Sequence, residues 1–317
     1  MNPSVSRPAA FRKPRLLVVG CGDVGLRVLQ QLRGRYRVRA LTSSAERAPV
    51  LRTAGALPLV GDLDRPQTLG RLGALASRVL HLAPPPGAGE SDPRTAALLR
   101  ALARGGVVQR IVYGSTSGVY GDAGGARFDE TRATAPATAR ARRRVEAERQ
   151  LRAFGRRHGV AVSLLRIPGI YAPGRAGGDP RERLARGTPL LAADDDVFTN
   201  HIHADDLARA CLLALHRALP QRALHVSDDA ELRMGEYFDL AADLAGLPRA
   251  PRVAREQAAA LLSVTQLSFM GESRRLDNGR MKRELGLRLR YPTPAEGLAP
   301  LRPARPGREP SGSANRP

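Results

Sequence analysis

The stretch Arg15–Gly34, RLLVVGCGDVGLRVLQQLRG, decides how this chain is read. Its first part, RLLVVG, is a run of branched apolar residues closed by a glycine. Such a run is apolar on both faces and suits a strand buried inside a parallel sheet. Its last part sets Val24, Val28, Leu29 and Leu32 at helical spacing, with Gly34 as the stop. Between them Gly20-Cys21-Gly22-Asp23-Val24-Gly25 forms a G-x-G-x-x-G loop. Alone the pattern carries little weight, but after a strand and at the start of a helix it has a physical purpose. Gly20 permits a tight turn, Gly22 lets the backbone approach a pyrophosphate, and Gly25 lets the helix pack closely on the sheet. The helix N-terminus then presents free N–H groups and the positive end of its dipole to an anion. The alternative is a glycine turn with no ligand.

The same alternation continues downstream. RVRALT, ALPLVGD, RVLHLAPP, RIVYGST and VAVSLLRIPGIY read as further strands, and ALHVSD as one more. APVLRTAG, DPRTAALLRALARGG and HADDLARACLLALHRAL read as helices between them. Strands alternating with helices through short connections predict an α/β protein, a Rossmann-type doubly wound parallel sheet. Residues 174–200 and 229–300 break the rhythm and are expected to form a small C-terminal substrate lobe. The expected division is a disordered tail over 1–14, an NAD(P)-binding domain over 15–173, and the lobe over 174–301. Residues 201–228 return to the sheet, and 302–317, rich in Pro, Arg, Ser and Gly, form a second tail.

Composition bounds the function. Of 317 residues 42% are hydrophobic and only 4% aromatic, with no Trp, so the core is aliphatic. The net charge of +21 raises the question of a nucleic-acid partner. The charge is almost entirely arginine, since Lys13 and Lys282 are the only lysines, and it is scattered rather than gathered in one tract. That pattern argues for a basic surface rather than a nucleic-acid interface. Cys21 and Cys211 stand far apart and imply neither a disulfide framework nor a zinc knuckle. No apolar run is long enough to span a membrane. The basic N-terminus has no apolar core of a signal peptide, so a cytoplasmic location is expected.

The end of the second strand bears on cofactor choice. A carboxylate roughly 20 residues after the glycine loop would hold a ribose 2′-hydroxyl and favour NAD. Here stand Thr42, Ser43 and Ser44, with Arg39 and Arg47 nearby, and Glu46 lies beyond the strand end. Hydroxyls with arginine suit a 2′-phosphate, which favours NADP. Asp62, in GDLD, could accept the adenine amino group or cap the next helix.

At STSGVYGD the chain resembles the extended short-chain dehydrogenase/reductases, the NAD-dependent epimerase/dehydratase family. GCGDVG, GDLD, HLAPP, LRIPGIYAPGR, HIHADDLARA, LHVSDD and NGRMKRELGLRLRYPTPAEGL match in the same order, over about residues 15–299. The resemblance implies that Gly20, Gly22 and Gly25 bind the pyrophosphate and that Asp62 and Leu63 contact adenine. It places Leu82, Ala83 and Pro84 on the nicotinamide ribose side and Pro168, Gly169 and Ile170 by the carboxamide. Thr116, four residues before Tyr120, stands where the family keeps a Ser or Thr that hydrogen-bonds the substrate oxygen. The family then uses a Tyr-x-x-x-Lys pair on one helix face, the lysine lowering the pKa of a phenol that titrates near 10 when free. This chain has neither residue: no Tyr stands between Gly121 and Ile170, and no Lys between Lys13 and Lys282. Alignment on VEAERQL puts Arg140 at the Tyr position and Arg144 at the Lys position. An arginine can bond ribose hydroxyls and supply charge, but it does not exchange protons near neutrality. The glycine spacing also departs from the family's commoner G-x-x-G-x-x-G. The resemblance further implies a homodimer paired through this helix.

The function expected is an NAD(P)-binding oxidoreductase or epimerase/dehydratase-like protein. Its substrate would be a small carbonyl, hydroxyl or sugar-nucleotide-type molecule, with Thr116, Arg140 and Arg144 at the reacting end. The alternatives are a non-catalytic NAD(P)-binding regulator and a basic nucleic-acid-associated protein. Among secondary features, His201, His203, Asp205 and Asp206 look superficially like a metal cluster, but a strand end followed by an Asp205 or Asp206 helix cap explains them better. No metal site is expected. Ala193–Asp196 reads as a solvated loop facing the lobe, or as carboxylates that pair with arginines of the lobe. Arg175 and Arg181 are surface arginines or a substrate-anion site. Tyr120 and Tyr171 are structural residues or replacements for the missing acid/base. Cys21 is a packing residue or an oxidation-sensitive switch.

Overall fold

The computed structural model describes residues 13–32, 34–70 and 72–299. The tails expected at 1–14 and 302–317 lie outside the described residues, apart from Lys13 and Pro14. Seven strands form one sheet: β1 (Arg15–Val19), β2 (Arg37–Thr42), β3 (Leu57–Val60), β4 (Arg78–His81), β5 (Arg110–Thr116), β6 (Ala161–Ile167) and β7 (Arg222–His225). Their order is β3-β2-β1-β4-β5-β6-β7, and every neighbouring pair is parallel. The fold is the expected doubly wound α/β sheet with a C-terminal region.

Alternation along β1 shows why both faces must be covered. Leu16 and Val18 join an apolar cluster with Val28, Leu29, Leu207 and Leu215. Leu17 and Val19 join another with Leu98, Leu102 and Leu151. Of the helices α1 (Asp23–Leu32), α2 (Ala48–Thr53), α3 (Pro93–Ala103), α4 (Ala139–His158), α5 (Pro180–Ala185) and α6 (Ala204–Arg217), α1 and α6 cover the first face and α3 and α4 the second. Each such leucine, fully buried, contributes about 1.5–3 kcal/mol of transfer free energy. At the foot of the sheet, arginines close α6. Arg78 Nη1 donates to Leu215 O at 2.8 Å, and Arg110 Nη1 donates to Ala218 O. Cations there also suit the negative end of the helix dipole.

The strand order reverses between β1 and β4, so the loops leaving these strands diverge and open a crevice at the carboxyl edge. Beyond β6, Gly169–Tyr171 pairs in parallel with His201–His203, bringing the chain back over that edge. The remaining C-terminal elements have their own apolar cluster, centred on Leu190, Leu191, Tyr237, Phe238 and Met270. Among the described residues no helix is long and apolar enough to cross a membrane.

A buried polar chain locks the carboxyl ends of β5, β6 and β7 to α4. Ser115 Oγ donates to Glu148 Oε1 at 2.6 Å, and Arg166 Nη2 donates to Glu148 Oε2 at 2.7 Å. Arg166 Nη1 donates to the Tyr120 hydroxyl, which is also bonded to His225 Nε2, both at 2.6 Å. Burial holds His225 neutral, down at about 4 with nearby Arg166 and Arg280 adding to the effect against an opposing bond to the Asp277 carbonyl. Burial likewise pulls His81 and His201 from 6.5 to about 3.

In the unfolded chain these histidines take protons that the folded state refuses. Their contribution is whole above about pH 6.5 and declines as pH falls toward 4, by up to ~1.4 kcal/mol per pH unit for each histidine. Asp228 and Glu130, pushed up by burial, act in the opposite sense at the acid end. The urea midpoint is therefore expected to be level from pH 8 to 7 and to fall steadily between 6.5 and 4.5. A midpoint unchanged down to pH 5 contradicts this account.

Candidate functional site

The candidate site is built on the turn after β1. Gly20 has φ +80, a left-handed conformation that disfavours any residue with a side chain. A Cβ there would overlap the Ala83 backbone. The close approach is held by the Val19 carbonyl, which accepts from Leu82 N–H at 2.7 Å and Ala83 N–H at 3.0 Å. Gly22 faces open space, with no atom within 4 Å of where its Cβ would stand. At Gly25 a Cβ would press on Cys21 Sγ at 3.0 Å, so the glycine sets how closely α1 packs on its own loop. Cys21 is 3% exposed, and burial pushes its thiol up to about 11 against the opposing pull of Arg47. It is a packing residue, too protonated and too enclosed to act as a redox switch.

The end of β2 abuts this loop. The Thr42 hydroxyl is spent on its own turn, donating to Ser44 O at 3.1 Å and accepting from Ser44 N–H at 3.3 Å. Ser43 is exposed. Arg47 reaches across to donate to the Cys21 carbonyl at 2.8 Å. Arg39 is elsewhere, donating to Leu75 O at 3.0 Å, and does not join this group. Asp62 Oδ1 accepts from Asp64 N–H at 2.9 Å in a local turn, and the next helical turn is capped at Arg65, not at Asp62. Leu63 packs on the core, and Pro84 is exposed, its carbonyl accepting from Arg94 at 3.3 Å.

Facing the glycine loop are β5, β6 and α4. Thr116 closes β5 and caps the following turn, its Oγ1 accepting from Gly118 N–H at 3.2 Å. Arg144 Nη1 donates to Gly114 O at 2.7 Å and to the Tyr113 hydroxyl at 2.9 Å. Among the described residues it has no other hydrogen-bond partner, so Nε and Nη2 are uncommitted. Arg144, Thr116 and Ser115 line a cleft of about 310 Å³ together with Gly20, Gly22, Asp23, Val24 and Gly25. Leu82, Ile167, Pro168, Ile170, Leu207 and Arg175 complete its walls. Gly169 stands just behind, its N–H donating to Asn200 O at 3.1 Å.

The structure thus brings Thr116 and Arg144 to the glycine loop, and separates Arg140 from them. Arg140 is solvent-exposed, its guanidinium 4.5 Å over the Phe269 ring of the C-terminal region. Its neighbours hold the loop after β4. Arg143 is 6% exposed and donates to the Gly87 and Gly89 carbonyls, and Arg142 pairs with Glu90. Neither tyrosine considered as a substitute reaches the cleft. Tyr120 is buried in the Arg166–His225 network, and Tyr171 donates to Thr293 O at 3.2 Å. Tyr113, the partner of Arg144, is also fully buried, and burial pushes its phenol up to about 12.

Among the described residues no three His, Cys, Asp or Glu side chains could hold a metal ion. The NHIHADD group is instead structural. His203 caps α6, its Nδ1 accepting from Asp205 N–H at 3.2 Å, so the cap is the histidine rather than either aspartate. Asp205 pairs with Arg27 at 2.6 Å, and the buried Asp206 accepts from the backbone of Arg290 and Tyr291. Arg181 folds back on Asp179, outside the cleft. A second hollow of about 410 Å³, between α1, α6 and the C-terminal region, contains no residue of the glycine loop.

Comparison with known proteins accords with this arrangement. The NAD dependent epimerase/dehydratase family matches residues 16–226. The chain belongs to that family. No curated protein matches the chain. Among solved structures, a functionally unknown conserved protein from Silicibacter pomeroyi is 30% identical with a TM-score of 0.76, over 90% of this chain and 96% of that one. A dTDP-glucose 4,6-dehydratase from Streptomyces venezuelae, solved with NAD and TYD bound, is 26% identical with a TM-score of 0.72, over 90% and 94% of the two chains. UDP-glucose 4-epimerase from Thermotoga maritima shares the fold, at 21% identity and a TM-score of 0.73 over 90% and 96%.

The two glycines separate fold from binding. Gly20→Ala should cost at least ~2 kcal/mol of stability, because of both the left-handed backbone and the overlap with Ala83. Gly22→Val should leave the melting temperature nearly unchanged and weaken dinucleotide binding at least about tenfold, because its side chain occupies the open floor of the cleft. Thermal melts and calorimetric titration of both variants check this. Equal affinity in wild type and Gly22→Val contradicts the pyrophosphate site expected from the sequence.

Proposed function

We propose that this protein binds a nicotinamide dinucleotide in the β1–β4 crevice and carries out oxidoreductase or epimerase/dehydratase-like chemistry. The substrate is a small carbonyl, hydroxyl or sugar-nucleotide-type molecule. The observation that carries the reading is the shared cleft, which sets Thr116 and the free edge of Arg144 opposite the glycine loop. The NAD and TYD bound to the Streptomyces dehydratase support it. In this reading residues 15–173 form the cofactor domain. The substrate lobe is 174–301, less the returning 201–228.

A nicotinamide held beside Thr116 and Arg144 would supply hydride exchange at the substrate carbon. The chain's own residues manage the oxygen. Thr116 Oγ1 already accepts from Gly118 N–H, so its hydroxyl proton is free to donate to the substrate oxygen. The uncommitted nitrogens of Arg144 supply a fixed positive charge where negative charge grows on that oxygen, which lowers the barrier electrostatically. The arginine does not itself pass a proton. The proton comes from water or from the substrate. Thr42 is spent on its own turn, but Ser43 and Ser44, with Arg47 above the loop and no carboxylate at the strand end, favour NADP over NAD.

A second reading rests on one observation. Among the cleft-lining residues there is no Tyr, Lys, His, Glu or Cys side chain, and the lone carboxylate, Asp23, is tied to two arginines. That arrangement suits a non-catalytic dinucleotide-binding regulator. The expected homodimer is also open to test, because the outward face of α4 exposes Arg142, Arg149, Arg156 and Arg157, and symmetric pairing there opposes like charges.

NADPH and NADH titrated into the protein, followed by nicotinamide fluorescence and calorimetry, test the first step. Binding of either supports the proposal; binding of neither overturns it. Arg47→Ala should weaken NADPH about tenfold and leave NADH nearly unchanged. Turnover of a carbonyl panel by wild type supports an enzyme. Binding of either cofactor without turnover of that panel supports the regulator.

A further inference from the structure

Asp23 stands where a negative charge is least expected if the cleft takes a pyrophosphate. It is the first residue of α1 and lines the cleft beside Gly22. A carboxylate there favours the helix but repels a second anion brought to the same N–H groups. Two arginines answer it. Arg27, one turn along α1, places Nε at 3.2 Å from both carboxylate oxygens and also reaches Asp205 at 2.6 Å. Arg175 comes from the opposite wall, with Nε at 3.1 Å from Asp23 Oδ2. The four side chains form a neutral ladder, Arg175–Asp23–Arg27–Asp205, whose Arg175 end lies in the cleft.

The loop that carries Arg175 is shaped around it. Arg175 Nη1 donates to Ile170 O at 3.2 Å, and its own carbonyl accepts from Gly178 N–H and Asp179 N–H, both at 2.9 Å. Gly178 leaves the space the guanidinium needs, since a Cβ there would overlap Arg175 Nη1. Nη2 has no partner among the described residues. Arg27 can hold Asp23 by itself, so Arg175 can turn to another anion without leaving a carboxylate unpaired. We propose that Arg175 is the anion clamp of this cleft: it closes from the β6 side onto the pyrophosphate of a bound dinucleotide, and Asp23 holds it ready in the ligand-free protein. This rests on the cofactor reading above and adds to it a residue outside the glycine loop. An arginine fork binds a phosphate through two parallel N–H donors, which makes it the stronger half of such a clamp.

The test is calorimetric titration of NADH, and of ADP-ribose, which carries the pyrophosphate without the nicotinamide. Arg175→Met keeps the aliphatic stem and should weaken both ligands by the same factor, about ten- to a hundredfold. Gly178→Ala, whose Cβ would overlap both Arg175 Nη1 and the Ile170 carbonyl oxygen it bonds, displaces the guanidinium without removing it and should weaken them in the same direction. Asp23→Asn should tighten both, because it removes the opposing charge and the resting partner together, and the tightening should be smaller when measured from Arg175→Met to Asp23→Asn/Arg175→Met, where only the charge is removed. Melting temperatures accompany each variant, and if Arg175→Met does not fold, Gly178→Ala and Asp23→Asn decide. Wild-type binding that survives Arg175→Met and Gly178→Ala unchanged overturns the clamp alone. Wild-type protein that ignores NADH, NADPH and ADP-ribose overturns the cofactor reading, and the clamp with it.

Discussion

One backbone oxygen sets the geometry of the molecule's working edge. The Val19 carbonyl, last in β1, accepts the N–H groups of both Leu82 and Ala83 as they leave β4. Two chains meeting this closely leave no room for a side chain, which is why Gly20 is there and why its backbone is left-handed. Everything above the sheet is placed by this crossing. Leu82 becomes a wall of the cleft, Gly22 its open floor, and the start of α1, Asp23 to Gly25, lines the gap. A sheet whose strand order reverses at this point supplies the gap, and the crossing fixes how wide it is.

The opposite wall depends on a different kind of bond. Glu148 and Arg166 are nearly inaccessible, and each also holds a neutral hydroxyl, Ser115 on one side and Tyr120 on the other. A buried ion pair is not an efficient source of stability, since desolvation offsets most of its attraction. It is directional, however. It fixes the turn of α4 against the ends of β5 and β6, and so decides that Arg144 enters the cleft. Arg140, one turn earlier, rests on Phe269 instead, and Arg142 and Arg143 hold the loop after β4. The front of α4 has become mostly architecture.

Much of this was legible in the sequence. The apolar runs of β1, β4, β5 and β6 have no polar side to hide, and only a parallel sheet covered on both faces accepts them. The glycine loop was legible because its residues act through backbone conformation, which is local. Thr116 and Arg144 were expected there from the family resemblance, through the position of Tyr120 and an alignment on VEAERQL that also put Arg140 at the site. What stayed hidden depends on partners distant in the chain. Arg175 and Asp23 are 152 residues apart, and no pattern links them. The direction of Arg140 depends on Phe269 in another region, and the retreat of Arg39 on a carbonyl at Leu75. The His203 cap was missed because aspartate is the more frequent capping residue, and here both aspartates had been drawn into bonds with Arg27, Arg290 and Tyr291.

The cations of the cleft, Arg144 and Arg175, are both guanidinium groups. A site run by a phenol and an ammonium changes its own charge as the acidity of its surroundings changes. Guanidinium groups do not. The attraction these two groups exert does not switch with mild changes of acidity, and the variable that governs it is ionic strength. An anion that enters meets the same pull in mildly acid as in mildly alkaline surroundings, and a weaker one as salt accumulates.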